Sequence, residues 1–177
     1  MPSERSMRKE AHMAKTTHEF GDFAAQGVCM AGNAFASVLL VKGQEDFEDA
    51  ELSALKASLE HLGYAPEAWA TLLTTTKTGD PINPELVRQA ISAFSPDTVL
   101  MVNDAAVASV REAYAEELEQ LKTDAEKIFS PRVLVHVCGM RVVNLDNFAG
   151  ALDDPHQKQM RWAAIKQVPP LGRSEEH

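Results

Sequence analysis

Residues 42–47, Lys42-Gly43-Gln44-Glu45-Asp46-Phe47, form the stretch whose types and spacing come nearest to chemistry. They lie between an apolar run at 37–41 and a helical pattern, so the loop meets a helix N-terminus. Free N–H groups and the positive end of the helix dipole suit an anion there. Glu45 and Asp46 oppose an anionic ligand but suit the dipole, so structural capping is the first reading of them. Lys77 follows a second apolar run directly and could meet a phosphate. Cys138 ends the fourth such run, with no sequence-adjacent base to activate it. His136, between Val135 and Val137, reads as a hydrogen-bonded core histidine, and Trp69 and Trp162 as core or interface aromatics. His61 falls near a helix end, where its charge suits the dipole. The chain has no Gly-x-Gly-x-x-Gly fingerprint, no Gly-Lys-Ser/Thr phosphate loop and no His/carboxylate set at metal-ligand spacing. No metal and no cofactor is expected.

The elements that must position these residues can be read in order. Apolar and β-branched runs at 37–41, 72–76, 98–102 and 132–137 predict four strands. Leu52, Leu55, Leu59 and Leu62 make a helical stripe that Gly63 ends. Asn83 with Pro84 starts a second helix, carrying Leu86, Val87, Ala90, Ile91 and Phe94 inward. Asn103 and Asp104 cap a long third helix that keeps its stripe to Ile128 and stops at Pro131. Asp154 and Pro155 open the last, with Trp162, Ile165 and Val168 facing in. Residues 19–36 hold at most a short helix, and 140–153 are an irregular link. Strands alternating with helices predict an α/β fold: a three-layer α/β/α sandwich on a short four-stranded, mostly parallel sheet. A ligand would then sit at the strands' carboxyl ends, in the loops 42–46, 77–83, 103–104 and 138–141.

Composition sets the outer bounds. The 177 residues carry 17 basic and 26 acidic side chains, a formal net charge of −9. That disfavours a strong, non-specific hold on nucleic acid. The charge is uneven: residues 44–60 contain six acids and one lysine, residues 131–173 six bases and three acids. Any face that meets an anion is expected in the C-terminal third. No apolar run approaches the roughly 20 residues that span a bilayer, so no membrane partner is expected. Residues 1–16 lack the apolar core of a secretory signal, so the expected location is cytoplasmic. Cys29 and Cys138 read as two unconnected thiols. The expected organisation is a flexible arm over 1–18, one domain over 19–172 and a tail over 173–177.

From Ser37 to Pro170 the order of elements resembles the uracil-DNA glycosylase superfamily. VLLVKGQED resembles the family's first strand and loop, where an acid or amide after Gly activates a water. TTTKTGDPINPELVRQAISAFSPDTVLMVNDAAVASV resembles its central stretch, and DPHQKQMRWAAIKQV its closing helix with Lys and Trp. The resemblance implies the family's three-layer fold and sets the water-activating role on Gln44 or Glu45, beside Lys42 and Gly43. The amide that reads uracil's polar edge falls near Thr74, and the His-Pro motif near Cys138 and Gly139. Phe47 is the candidate for stacking a flipped base. Lys77 or Arg141 would hold phosphate, and Asn103 lines the same strand ends. Thr74 lacks the paired donor and acceptor of an amide, the His-Pro pair is missing, and the four iron–sulfur cysteines of some branches are absent. VLLVKGQEDFEDAELSALKASLEHLGYAPEAWATLL also resembles the psi subunit of bacterial clamp loaders, in which a flexible N-terminal arm carries a partner contact.

These features predict a degenerate, non-catalytic glycosylase-like domain that binds a protein partner. The alternatives are a base-excision enzyme using Gln44 or Glu45 on a water, and a small-molecule protein with a pocket at the four loops.

Overall fold

The structure, a computed structural model, describes residues 21–34, 36–76 and 78–171. The expected arm over 1–18, the tail over 173–177 and Lys77 lie outside the described residues. The chain is α/β, built on a six-stranded mixed sheet. The strands are β1 (Met30–Gly32), β2 (Val38–Lys42), β3 (Trp69–Leu73), β4 (Thr98–Met101), β5 (Leu134–Val137) and β6 (Met140–Asn144). Their spatial order is β1-β3-β2-β4-β6-β5. β3, β2, β4 and β6 run parallel, with Leu40 beside Thr71 on one side and Leu100 on the other, and Leu100 beside Val143. β1 and β5 pair antiparallel at the two edges.

The expected four-stranded, mostly parallel sheet is thus corrected to six strands with two antiparallel edges. β1 lies in the segment expected to hold at most a short helix; residues 21–25 are helical and bury Phe23 before it. β6 occupies what reads as an irregular link, because Cys138 and Gly139 alone reverse the chain. Both have positive φ, +50° and +80°, as a two-residue type I′ hairpin turn requires.

Helices cover both faces of the sheet. α1 (Asp49–His61) and the last helix lie on one side, α2 (Pro84–Phe94) and α3 (Asp104–Ala113) on the other. Strand alternation produces this division. Leu39, Val41, Val99, Met101 and Val142 join Val87, Ile91 and Val110, whereas Val38, Leu40, Leu100 and Val143 join Leu55, Leu59 and Ile165. Strands buried on both faces read as continuous apolar runs, which is why β2 and β4 are visible in the sequence.

The long third helix is instead three pieces: α3, α4 (Ala115–Glu119) and α5 (Asp124–Lys127). Tyr114 leaves helical geometry (φ −117°, ψ 27°) and buries its ring beneath Arg88, 4.8 Å away. Thr123 and Glu126 then start α5 with a reciprocal capping box. The last helix, α6 (Pro155–Ile165), begins as expected: Asp154 accepts hydrogen bonds from the N–H groups of His156 and Gln157. Asn83 and Asn103 cap α2 and α3 in the same way. No helix among the described residues is long and apolar enough to cross a membrane.

Candidate functional site

Strand order reverses between β2 and β4: the chain leaves β2 for β3 on one side and returns past it to β4. The crevice outside their carboxyl ends is where open α/β sheets seat ligands. Lys42 ends β2 there, and Asn103 follows β4. The Asn103 side chain joins the two. Its Oδ1 accepts from Gly43 N at 3.1 Å and Ala106 N at 3.0 Å, and its Nδ2 donates to Gly43 O at 2.8 Å. Gly43 is held so closely that an added Cβ would meet Thr74 Oγ1 at 2.5 Å and Ala105 Cβ at 2.8 Å.

Lys42 points the other way, into the layer under α1, and is 1% exposed. Its Nζ is 2.7 Å from Glu51 Oε1, and Glu51 is itself fully buried. The same oxygen accepts from Glu48 N at 3.2 Å, so one carboxylate both caps α1 and neutralises Lys42. The attraction between two buried opposite charges in contact offsets the desolvation that each has paid. Phe47 lies with its ring centroid 5.8 Å from Lys42 Nζ. Glu45 reaches the ammonium only at 3.8 Å and is 69% exposed. Gln44, at φ +70°, is exposed beside it. The structure therefore brings Lys42, Gly43, Gln44, Glu45, Phe47 and Asn103 to one place, but turns Lys42 and Asn103 inward.

Thr74 is fully buried behind Gly43 rather than facing the crevice. Its N–H donates to Lys42 O at 2.9 Å, its carbonyl accepts from Ile82 N, and its hydroxyl has no hydrogen-bond partner among the described residues. Beyond it, Thr76, Thr78 and Asp80 form a side-chain chain: the two hydroxyls lie 3.0 Å apart, and Thr78 Oγ1 donates to Asp80 Oδ2 at 3.0 Å.

Cys138, Gly139 and Arg141 lie at the opposite end of the sheet. β5 is antiparallel, so its carboxyl end sits beside the amino end of β6, and Arg141 pairs with Thr98 at the start of β4. Arg141 is buried among polar groups. Its Nη2 donates to Thr98 Oγ1 (2.8 Å), Pro169 O (2.8 Å) and Tyr64 Oη (3.2 Å). Tyr64 donates to Val168 O, and burial raises its phenol above the usual range against the opposing pull of Arg141. This cluster ties the chain after α6 to the sheet and engages the Arg141 guanidinium within the protein.

Cys138 is exposed beside a cavity of about 380 Å³ bordered by Arg88, Ser92, Ser95 and Tyr114. Burial pushes the Tyr114 phenol up to about 12, with Arg88 opposing it. Arg88 in turn bonds Glu117 at 2.7 Å and holds that carboxyl below its ordinary range. His136, expected in the core, is exposed on edge strand β5, while its neighbours Val135 and Val137 point into the α2/α3 layer.

Sequence reasoning missed Glu51, although the spacing Glu51, Leu55, Leu59 sets it on the inner stripe of α1. It also missed the carboxyl end of β6, where Asn144 donates to Phe129 O and accepts from Asp146 N. Asp146 there meets Arg132 at 2.9 Å and Arg161 at 3.5 Å. The Asp146-Asn147 pair, both at φ +57°, is the signal of a turn at that point. No group of three or more His, Cys, Asp or Glu among the described residues could hold a metal ion. No protein-family model matches the chain, and no curated protein matches its sequence.

Proposed function

We propose that the chain is a non-catalytic relative of the uracil-DNA glycosylase superfamily that acts as a protein-interaction module. A core of four parallel strands between helical layers, with a Gly-containing acidic loop after β2, supports the fold part of this reading. The observation that carries the functional part is how the described polar groups at the crevice between β2 and β4 are engaged. Asn103 spends its amide on Gly43, Gly43 has no room for a methyl group, and Lys42 is buried against Glu51. A base-excision site needs a recess for an extruded base with polar groups turned toward it. Here those groups are turned to the protein itself, and Gln44 and Glu45 stand on the open surface. Arg141, the expected phosphate contact, sits at the other end of the sheet. The net charge of −9 also works against the counterion release that drives DNA binding.

A base-release assay on uracil-, hypoxanthine- and xanthine-containing DNA at low salt tests the reading, with Glu45→Gln run alongside. The expected result is no release by either protein. Release that falls on changing Glu45 would replace this reading with an unusual glycosylase.

A further inference from the structure

We infer that the outer edge of β1 takes up an extended basic peptide as a further strand, with one large apolar side chain in the cavity beside Trp69. The inference rests on the interaction-module reading and names the chemistry of the partner. Met30 lies opposite Leu72 and Ala31 opposite Thr71, and Leu73 N donates to Cys29 O at 2.9 Å. Hydrogen-bonded positions alternate in an antiparallel pair, so Cys29 and Ala31 bond β3. Met30 then turns its N–H and C=O outward, together with the N–H of Gly32. Among the described residues no hydrogen bond reaches these groups. A row of unpaired main-chain donors and acceptors is matched by another extended main chain. Edge strands are often closed to such pairing by a charged side chain or a proline, and Met30-Ala31-Gly32 has neither.

β1 is covered on one face only. Met30 packs into the layer that holds Phe23 and Val28. On the α1 side the strand carries Ala31 alone, and Gly32 has no room for a side chain, since an added Cβ would lie 2.8 Å from Ala70 Cα. A cavity of about 360 Å³ remains there, bordered by Ala31, Leu52, Lys56, Pro66, Glu67 and Trp69. An apolar cavity of about 150 Å³ takes up a benzene ring, so this one has room for an aromatic side chain against Trp69. A strand added beside β1 sets the residue opposite Ala31 on the same face as Ala31, over that cavity.

The groove itself gives the sign of the partner. Lys56 is the one base on its border, against Glu67. Exposed Glu48 and Glu60 stand one turn before Leu52 and one turn after Lys56 on the same row of α1. Residues 21–34 add Asp22 and no base. Three acids to one base along the groove, in a chain of net charge −9, attract a basic segment. The same charge repels nucleic acid and a second copy of this chain.

The test is fluorescence anisotropy of a labelled synthetic peptide, one phenylalanine flanked by alternating threonines and lysines, titrated with the full chain at low and moderate salt. We expect saturable binding that weakens with salt. N-methylation of the two residues beside the phenylalanine removes the donors to β1 and should weaken binding about tenfold. Replacing the phenylalanine by glycine should also weaken it about tenfold. Ala31→Leu, which fills the cavity, should abolish the preference for phenylalanine, and Glu67→Lys, an exposed change, should weaken binding about fivefold. Circular dichroism checks that both variants fold, and the N-methylated peptide needs no variant. The inference is overturned if the N-methylated peptide, or one with glutamates for lysines, binds as tightly as the parent. Equal affinity for phenylalanine amide alone overturns it in favour of a small-molecule cavity, and a sedimenting dimer that binds no peptide gives the edge to a second copy. Base release from DNA would end the non-catalytic reading without touching peptide affinity. Absent peptide binding would remove this partner and leave that reading standing.

Discussion

Glu51 does two things with one oxygen: it receives Lys42 at 2.7 Å and the N–H of Glu48 at 3.2 Å. Removing it leaves an ammonium buried without a counter-charge, and such losses run to about 3–5 kcal/mol. Glu51→Leu should therefore lower the unfolding free energy by about that amount. The double variant Lys42→Met/Glu51→Leu should return to within about 1 kcal/mol of the parent, since a buried pair is often no better than an apolar one. Urea denaturation of the four proteins of this cycle measures it. A cost under about 1 kcal/mol for Glu51→Leu alone would show that water reaches Lys42 and that the pair is not structural. At this scale the sequence was partly legible. The four-residue spacing of Glu51, Leu55 and Leu59 sets an acid among core leucines, but its partner on β2 lies beyond the reach of any helical pattern.

The β5–β6 hairpin is the element that decides where the candidate residues go. Two apolar runs separated by Cys138-Gly139 are a hairpin signal, weakened by a cysteine where Asn or Asp is usual and by the arginine inside the second run. A non-glycine residue at positive φ costs energy that Asn, with its short polar side chain, relieves. Cys138→Asn should accordingly stabilise the protein by about 1 kcal/mol and raise its thermal midpoint by a few degrees. Gly139→Val should lower the midpoint, because a β-branched side chain at φ +80° is strained. A lower midpoint for Cys138→Asn would mean that the turn is not held as described. Elements with local caps were the legible ones: Asn83, Asn103 and Asp154 each receive N–H groups of the helix they begin. The break at Tyr114 was not, because a buried tyrosine and a helix-stripe tyrosine look alike in sequence.

For the whole molecule, one sheet serves two cores. Ile91 lies in the layer under α2 and Ile165 in the layer under α6, both fully buried. Since each core uses alternate residues of the same strands, neither layer can be lost while the other stays whole. Ile91→Ala and Ile165→Ala should each cost about 2–5 kcal/mol. Each should also keep a single transition that coincides by circular dichroism and tryptophan fluorescence. Separate transitions in either variant would show that the layers unfold independently. The same arrangement explains why charge could be placed only coarsely from sequence. Among the described residues, the bases from 131 onward are divided between a buried cluster at Arg141, the ion pairs of Asp146 and the open face of α6.

The sequence by itself determined the α/β class, the central strands β2 and β4, and the beginnings of α2, α3 and α6. Each of these follows from hydrophobic period or a cap, and such signals act over a few neighbouring residues. The tertiary structure decided the antiparallel edges β1 and β5, and with them the transfer of Cys138, Gly139 and Arg141 to the far end of the sheet. It also decided that Lys42 turns inward to Glu51 and that Asn103 closes on Gly43. Strand direction and side-chain partner are set by which segments meet across the sheet. The energy of that meeting comes mostly from burial and hydrogen bonds between residues distant in the chain; of these features only the β5–β6 hairpin leaves a local signal, at Cys138-Gly139.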